Sequence, residues 1–373
     1  MDLAFTPRQR AFRAEVRAWL AAHVPAEPLP PMDTPEGFRR HRAWERTLAG
    51  ARLSAVSWPP EYGGRGAGLV EWLIFEEEYW ASGAPGRVSQ NGVFLLAPTL
   101  LTYGTEEQRR RFLPRMARAD DVWAQAWSEP ESGSDLASLR ATATPDGDGW
   151  RLNGHKTWSS RAAHADWGFG LFRSDPAAGR HRGLTYFLFP LDAAGVTVRP
   201  IAQLDGRHGF AEIFFDDVHV PAGQVLGEVG QGWRVAMATA GSERGLTLRS
   251  PGRFMATADR LLRLARDSDD QALRDAAVRA WTDADAYRLY TYQAAARLAD
   301  GEEPGAEASL MKVWWSELDL RLHELALDLL GPRAPLEGPW LDGFLFALAG
   351  PIYAGTNEIQ RNIIAERVLG LPR

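Results

Sequence analysis

Hydrophobic positions change their spacing twice along the chain. Up to about residue 120 they recur at helical spacing: Thr6 is suited to be an N-cap, and an apolar stripe follows it at Phe12, Val16, Trp19 and Leu20. A glycine-rich break at 58–68 interrupts this pattern, and Thr105 with the two acidic residues after it begins another helix. The first third of the chain is therefore predicted to be helical.

Between about residues 122 and 228 the apolar residues come in short runs separated by turn chemistry. The stretch ATATPDGDGWRLNGHKTWSS (141–160) predicts a β-hairpin, and further strands are predicted at LTYFLFPL, VTVRPI and AEIFFDDVHVP. From Gly230 helical spacing returns, as in LDLRLHELALDLLG (318–331). This order predicts an N-terminal helical domain, a central β domain and a C-terminal helical bundle, at 1–120, 121–229 and 230–373.

The composition is that of an ordinary globular protein, with 45% hydrophobic and 24% charged residues among 373. A net charge of −6 argues against a nucleic-acid partner, which requires clustered Lys and Arg. The chain has no cysteine and its eight histidines are scattered, so the sequence offers neither thiolate chemistry nor a metal site. We expect a cytoplasmic protein without a membrane partner, because no apolar run reaches ~18–20 residues and the N-terminus lacks signal-peptide features.

The order of elements also limits how a nucleotide cofactor is bound. Strands do not alternate with helices, and no G-x-G-x-x-G motif follows a predicted strand. A Rossmann sheet is therefore excluded, and a nucleotide cofactor requires another architecture.

Seven motifs occur in order along the chain: WPPEYGGRG (58–66), YGTEEQRRRFLP (103–114), SEPESGSDLASLRATA (128–143), LNGHKTWSS (152–160), AEIFFDDVHVP (211–221), GEVGQGWRVAM (227–237) and IYAGTNEIQRNIIAERVLG (352–370). Together they resemble the acyl-CoA dehydrogenase family of flavoenzymes over essentially the whole chain. The resemblance implies an α+β multidomain fold with an N-terminal helical domain, a central β-barrel-like domain and a C-terminal four-helix bundle. It also implies FAD as cofactor and the α,β-dehydrogenation of an acyl-CoA or acyl-carrier-protein thioester.

The resemblance assigns flavin contacts to the β domain. Ser128 corresponds to the hydroxyl that faces the flavin pyrimidine, and Gln125 and Trp127 precede it as further cofactor contacts. Trp158 matches the aromatic residue beside the isoalloxazine, and Ser160 matches the hydroxyl near N5. Hydrogen-bond donors at these places suit a ring that receives charge with the hydride. The alternative for Trp158 is burial in the core, since the chain has fifteen tryptophans.

The C-terminal motif carries a second set of candidate residues. Thr356 corresponds to a residue at the FAD phosphate region, and Gly355 beside it allows a close backbone approach. Thr356 is equally suited to cap a helix, and Glu358 is a further candidate cofactor contact. The resemblance assigns substrate contacts to Ser134, Arg244, Tyr353, Ala354 and Gly355, and it counts Ser134 among the cofactor contacts as well.

Dehydrogenation requires a carboxylate that takes the α-proton of the thioester. The best-known family members carry it at the position of Ala354, which cannot serve, and Glu358 lies one turn further along the expected helix. Isovaleryl-CoA and long-chain acyl-CoA dehydrogenases instead use a Glu-Arg pair on an earlier helix, which Glu243 and Arg244 match. We therefore predict Glu243 to be the catalytic base; the alternative is a solvated helical glutamate beside an arginine.

One departure from the family pattern bears on assembly. Many members carry an Arg-x-x-Phe-Gly-type segment that binds the FAD adenosine of a neighbouring subunit, and the matching region 273–293 lacks it. The resemblance implies a homo-oligomer, dimer or tetramer, and an electron-transfer flavoprotein as electron acceptor. Two other hypotheses remain open: a flavin oxidase or monooxygenase with the same fold, and a catalytically silent subunit of a heterotetrameric acyl-CoA dehydrogenase.

Overall fold

The fold is described from a computed structural model, which covers residues 4–244, 250–302, 305–336 and 338–372. The side chains of Ser242, Glu243, Arg244 and Glu307 lie outside this description, although their backbone is helical. The α-helices are α1 (Pro7–His23), α2 (Pro35–Gly50), α3 (Leu69–Ala81), α4 (Ala97–Tyr103), α5 (Glu106–Ala117), α6 (Gly232–Arg244), α7 (Pro251–Ala265), α8 (Gln271–Ala299), α9 (Glu307–Leu330), α10 (Pro339–Ala347) and α11 (Asn357–Ile363).

The strands all fall in the central part of the chain. They are β1 (Trp123–Ala126), β2 (Thr142–Asp146), β3 (Gly149–Ser160), β4 (Trp167–Arg173), β5 (Leu184–Pro190), β6 (Val196–Ile201) and β7 (Phe210–Pro221). They form one seven-stranded sheet in the order β1-β4-β2-β3-β7-β6, with β5 paired to β4. The predicted hairpin is confirmed, since β2 and β3 pair antiparallel up to a tight turn between Asp146 and Gly149.

Local chemistry explains where several helices begin. The hydroxyl of Thr6 accepts a hydrogen bond from the backbone N–H of Gln9, and the Thr6 N–H donates to the side-chain oxygen of Gln9. Thr105 and Gln108 form the same reciprocal arrangement at the start of α5. Such capping boxes satisfy amide groups that the first helical turn leaves without partners, which is why these starts were predictable.

The chain divides into two compact units. One consists of Met1–Ala26, Ala67–Ala84 and Glu243–Arg373; the other consists of Glu27–Gly66 and Pro85–Ser242. In the first unit, α3, α7, α8 and α9 pack against one another. In the second, the sheet encloses a core that the cross-strand aromatic residues Phe172, Phe187, Phe189 and Phe215 dominate.

The prediction of an α+β fold with N-terminal helices, a central sheet and C-terminal helices is confirmed. The three domain boundaries at 120, 229 and 373 remain a prediction. Within the described ranges, none of the helices is both long enough and apolar enough to cross a membrane.

Candidate active site

The segment after β1 brings the first candidate residues together. Gln125 is half-buried within β1, Trp127 is buried just beyond it, and Ser128 is half-buried. The backbone N–H of Thr157 in β3 donates to the carbonyl of Ser128 at 2.8 Å. The structure therefore places Ser128 beside the part of β3 that carries Trp158, so two residues that are thirty positions apart share one region of the sheet.

A buried ion pair fixes this segment. Lys156 is completely buried, and its ammonium donates to Oε1 of Glu129 at 2.8 Å and to the carbonyl of Trp127 at 3.2 Å. The Glu129 carboxylate also accepts from the backbone N–H groups of Arg140 at 2.6 Å and Ala141 at 2.9 Å. Neither Lys156 nor Glu129 was predicted as a site residue. One ammonium thus holds the chain on both sides of Ser128.

Burial and the attraction between the two opposite charges both shift the pKa values of this pair. Burial lowers the pKa of Lys156 to about 8, against the opposing effect of Glu129. Burial alone raises the pKa of Glu129, but Lys156 and the two backbone amides outweigh it, so this pKa is lowered overall. The pair is therefore ionised at neutral pH.

Raising the pH is expected to stabilise the protein through Lys156. The folded chain releases this proton near pH 8 and the unfolded chain near the ordinary value of 10.5, so between them the unfolded state binds more protons. Stability then rises with pH, by about 2 kcal/mol between pH ~7 and ~9.5. Thermal melts of wild type and Lys156→Met across this window would show the rise only in wild type; parallel curves would contradict it.

Trp158 is the most unusual residue of the sheet. Its side chain is 60% exposed, and its backbone lies in the left-handed region with φ 58°. It occupies an irregularity where the pairing of β3 with β7 shifts, and it contacts Phe210 edge-on with ring centroids 6.0 Å apart. Core burial, the alternative for Trp158, is therefore wrong. A strained backbone that presents a large aromatic ring to solvent is typical of a functional site.

Replacing Trp158 by glycine is expected to separate stability from flavin binding. Glycine relieves a backbone strain of about 1–3 kcal/mol and loses an edge contact worth about 0.5–1.5 kcal/mol, so the melting temperature should hold or rise. Flavin affinity should fall about tenfold or more, since the resemblance to the family places this ring beside the isoalloxazine. The control Asp217→Gly, at another left-handed position with φ 54° on β7, should leave flavin affinity unchanged. A Trp158→Gly protein that retains wild-type affinity would contradict the assignment.

The remaining candidates of the β domain lie on either side of these residues. Ser160 is half-buried at the end of β3, where its carbonyl accepts from the Asn91 side chain at 3.5 Å. Ser134 is exposed in the turn before a short helical turn at Leu136–Ser138. Its exposure fits a contact with an incoming substrate, and this role remains a prediction.

The C-terminal motif forms a tight turn followed by α11. Ala354 and Gly355 both have left-handed backbones, with φ 57° and 79°, and the Thr356 hydroxyl accepts from the Ile359 N–H at 3.2 Å. Thr356 therefore caps the helix. The helix starts at Asn357, so the expectation that Ala354 and Glu358 lie one turn apart on one helix is wrong. The left-handed pair ends any helical continuity before position 356.

Two further contacts define the surroundings of this turn. Glu358 is exposed, and its pKa is lowered by its own backbone N–H and by the Thr356 hydroxyl, so its carboxylate is charged. Tyr353 is half-buried, and its hydroxyl interacts with the guanidinium of Arg253, which also pairs with Asp319 at 2.6 Å. The turn is thus tied to α7 and α9 through Arg253.

A second buried lysine holds the start of α11. The ammonium of Lys312 in α9 donates to Oδ1 of Asn357 at 2.7 Å, and the Ser316 hydroxyl donates to the same oxygen at 3.1 Å. The backbone N–H of Asn357 donates to the carbonyl of Pro351 at 2.8 Å, which closes the turn. Sequence reasoning missed both lysines. The available signal was their rarity, because Lys156 and Lys312 are the only lysines among 42 Lys and Arg residues.

The predicted base lies at the end of α6. Glu243 and Arg244 are the last two residues of this helix, and their side chains are outside the described part of the chain. Their roles in catalysis and in substrate contact therefore remain predictions.

Comparison with known proteins identifies the group to which this chain belongs. The acyl-CoA dehydrogenase N-terminal, middle and C-terminal domain families match residues 6–120, 124–218 and 230–369. The acyl-CoA dehydrogenase IpdE1 of Mycobacterium tuberculosis is 44% identical over 378 residues, which cover 97% of this chain and 97% of IpdE1.

Two solved structures have the same fold over the whole chain. A chain of the ChsE4-ChsE5 complex from Mycobacterium tuberculosis matches with a TM-score of 0.85 and 30% identity, covering 100% of both chains. A chain of the Tcur3481-Tcur3483 steroid ACAD matches with a TM-score of 0.87 and 28% identity, again covering 100% of both. Together with the three domain matches, these similarities show that the chain is an oxidoreductase that belongs to the acyl-CoA dehydrogenase family.

Proposed function

We propose that the protein is an FAD-dependent acyl-CoA dehydrogenase that introduces a double bond between Cα and Cβ of an acyl thioester. The observation that carries this proposal is Trp158, whose exposed ring sits on a strained backbone next to Ser128 in a chain of this family. FAD supplies the acceptor for the β-hydride when it is bound. The protein contributes the binding groups, the base and the exclusion of water.

The side chains of the sheet fit a flavin ring. Trp158 offers an aromatic face, while Ser128 and Ser160 offer hydroxyl groups that are not fully buried. The buried indole N–H of Trp127 has no hydrogen-bond partner in the described part of the chain, so a donor is left over here, and Gln125 offers an amide. These are the groups we assign to the isoalloxazine.

The C-terminal turn fits the polar end of the cofactor. Gly355 has a left-handed backbone without a side chain, so a phosphate group can approach Thr356 and the start of α11 closely. Glu358 stays charged and would repel a phosphate, so we assign it to a ribose hydroxyl instead. We assign Tyr353 and Ala354, on the other side of Gly355, to the acyl thioester.

Glu243 would take the α-proton. Ala354 has no acidic group, and Glu358 is exposed at a helix start, where its own backbone N–H and the Thr356 hydroxyl lower its pKa overall. A base removed from water gains proton affinity and becomes effective near neutral pH. We propose that Glu243 has this role and that Arg244 contacts the substrate.

An arginine-lined cavity supports CoA rather than a carrier protein as the thioester carrier. The cavity has a volume of about 540 Å³ and lies next to Ser134; among its lining residues are Asp135, Arg140, Arg173 and Arg180. Three guanidinium groups outnumber the two carboxylates beside them, Asp135 and Glu131, which favours an anionic ligand. Arg173 donates from Nε and Nη2 to backbone carbonyls. Arg140 and Arg180, each of which also has a carboxylate neighbour, are therefore the groups more open to a ligand phosphate.

Arg180→Ala is expected to raise the KM for an acyl-CoA about tenfold without changing kcat, because a charge-assisted contact with a phosphate is worth about 1.5 kcal/mol. The KM for the same acyl group on a truncated pantetheine thioester should not change. Arg182→Ala removes the same charge from the same loop outside the cavity and serves as the control. If both variants change the KM equally, the cavity does not bind the CoA phosphates.

The acyl group itself is a further proposal. The Tcur3481-Tcur3483 structure is described as a steroid ACAD, and that chain is 28% identical over the full length. We propose that ring-bearing, steroid-derived acyl-CoAs are substrates here. We also propose that an electron-transfer flavoprotein accepts the electrons, that the chain forms a homodimer or homotetramer, and that it works in the cytoplasm.

A second candidate function is that of one chain in a two-chain assembly. The two solved structures compared above are each described by two protein names, one of them explicitly as a complex. The region 273–293, which lies within α8, lacks the segment that binds adenosine of a neighbouring subunit in many members. On this hypothesis the chain is catalytically silent or binds FAD only with its partner.

An anaerobic absorbance titration distinguishes these proposals. The purified protein is titrated with isobutyryl, isovaleryl, butyryl, octanoyl and a sterol-side-chain CoA thioester, with Glu243→Gln in parallel. Bleaching of the flavin band by one thioester, absent in the variant, supports the dehydrogenase. A yellow protein that no CoA thioester bleaches, but that air rapidly reoxidises after chemical reduction, supports an oxidase or monooxygenase. Bleaching only by a carrier-protein thioester would show that the acyl group is carried by a protein and not by CoA. A colourless protein that takes up FAD only with a partner chain supports the two-chain assembly.

A further inference from the structure

The two lysines of the chain are both completely buried. Lys156 and Lys312 are both 0% exposed, whereas the other forty of the 42 basic residues are arginines. Lysine is normally a surface residue and is almost never fully buried without a partner. In a chain that otherwise uses arginine throughout, lysine is kept only at two closed positions, each of which contacts a motif segment.

The ammonium of Lys156 bridges two points of one loop. It binds the carbonyl of Trp127 and the carboxylate of Glu129, so the residue between them, Ser128, is held from both sides. The next residue of β3, Thr157, holds the carbonyl of Ser128 itself. The residue after that is Trp158, whose strained backbone must be imposed by its surroundings.

The pocket around Lys156 suits an ammonium and not a guanidinium. The nitrogen lies 5.1 Å from the ring centroid of Phe172, and two of its three N–H groups are used by Glu129 and Trp127. A guanidinium is larger, planar and carries five N–H donors, most of which would be left without partners in a site closed to water. Charge alone therefore does not explain why lysine is present.

Lys312 performs the corresponding task in the helical unit. It binds the side chain of Asn357, the first residue of α11, and so fixes the helix start that Thr356 caps. Asn357 also closes the turn that contains Ala354 and Gly355 through its bond to the Pro351 carbonyl. Each lysine thus acts on a segment to which the resemblance to the family assigned cofactor contacts.

We propose that Lys156 and Lys312 are positioning residues: each uses a buried ammonium to fix one of the two motif segments in its flavin-binding geometry, without contacting the flavin. This rests on the proposed function as far as FAD is concerned. The positioning itself is a property of the chain and is measurable without cofactor.

The test uses variants that remove a buried charge pair without leaving a single buried charge. Lys156→Met/Glu129→Gln is neutral, and replacing a buried pair in this way is often tolerated by the fold. The matched control is Arg87→Met/Glu45→Gln, which removes an ion pair with side chains 3% and 1% exposed in the same unit. The hydrogen bonds that this control pair makes go to Ser54 and Ser89 and to no residue of the two motif segments.

Two readouts are taken for each protein: amide hydrogen exchange of the peptides that contain 127–129 and 157, without flavin, and the Kd for FAD. We expect the Lys156 pair variant to exchange at least tenfold faster there and to bind FAD at least tenfold more weakly, while the control matches wild type. Exchange and Kd equal to those of the control would overturn the proposal.

Lys312→Met provides a crossed comparison. It is expected to speed exchange at residues 357–360 and to leave 127–129 unchanged, the reverse of the Lys156 pair variant. If Lys312→Met leaves 357–360 unchanged, the proposal is overturned for that lysine.

Two further outcomes are decisive. Should the Lys156 pair variant fail to fold, Lys156→Arg replaces it: wild-type exchange and Kd in this charge-conserving variant would overturn positioning, and faster exchange with weaker FAD binding would support it. A wild-type protein that binds no FAD would sink the proposed function, whereas the exchange measurements would still decide whether the lysines hold their segments.

Discussion

Replacing Glu243 by glutamine is expected to slow reduction of bound flavin by a factor of about 10²–10⁴, the usual contribution of a positioned general base. Glutamine has the shape of glutamate but cannot accept the α-proton. FAD content and the Kd for the thioester should stay near wild type, because the base acts in the transition state more than in the bound ground state. Stopped-flow mixing of oxidised enzyme with an accepted acyl-CoA, without oxygen, measures the rate directly.

Glu358→Gln is the matched control for this prediction. It makes the same substitution at the other glutamate near the motifs, which is exposed at the start of α11. It should weaken FAD binding modestly and leave the reduction rate of bound flavin within a few-fold of wild type. A slow Glu358→Gln together with a fast Glu243→Gln would move the base to α11 and refute the assignment.

Asp319→Asn is expected to lower the free energy of unfolding by about 3–5 kcal/mol, since it leaves the largely buried guanidinium of Arg253, 18% exposed, without its counter-charge. Asp319 is 1% exposed and binds Arg253 at 2.6 Å, which joins α9 to α7. Burial lowers the pKa of Arg253, and in the native protein Asp319 and Tyr353 outweigh this effect. The guanidinium stays charged even without Asp319, because arginine does not lose its proton in proteins. Thermal melts give the loss in stability, and weaker thioester binding should accompany it because Arg253 also supports Tyr353.

The contrast is with a surface pair of the same chemistry. Asp283 binds Arg321 at 2.6 Å as well, but these side chains are 30% and 46% exposed. Asp283→Asn should therefore cost less than about 1 kcal/mol. If the melting temperatures of Asp319→Asn and Asp283→Asn differ by only a degree or two, burial does not determine how much these ion pairs stabilise the protein.

Sequence reasoning succeeded where the governing interactions are local. The starts of α1 and α5 depend on residues three positions apart, and the β2–β3 turn on a few adjacent ones, so pattern and capping chemistry predicted them. The end of α9 at Gly331 was predictable for the same reason.

Sequence reasoning failed where the partner that determines the structure is distant in the chain. Lys156 and Glu129 are 27 positions apart, and nothing in their own neighbourhoods indicates that they pair. The left-handed backbones of Trp158 and Ala354 were equally invisible, because these residues do not favour that conformation and only the surrounding structure imposes it. The expectation that Ala354 belongs to the helix of Glu358 was wrong for this reason, whereas the alternative that Thr356 caps that helix was correct.

The burial of both lysines has a consequence for how this protein withstands its own substrates. Thioesters acylate free amines, and they react with the unprotonated form of an accessible side chain. Lys156 and Lys312 are the only side-chain amines of the chain and neither is open to solvent, while arginine stays protonated and does not act as an acyl acceptor. The folded protein therefore offers an acyl-CoA no lysine to modify, however high the thioester concentration around it.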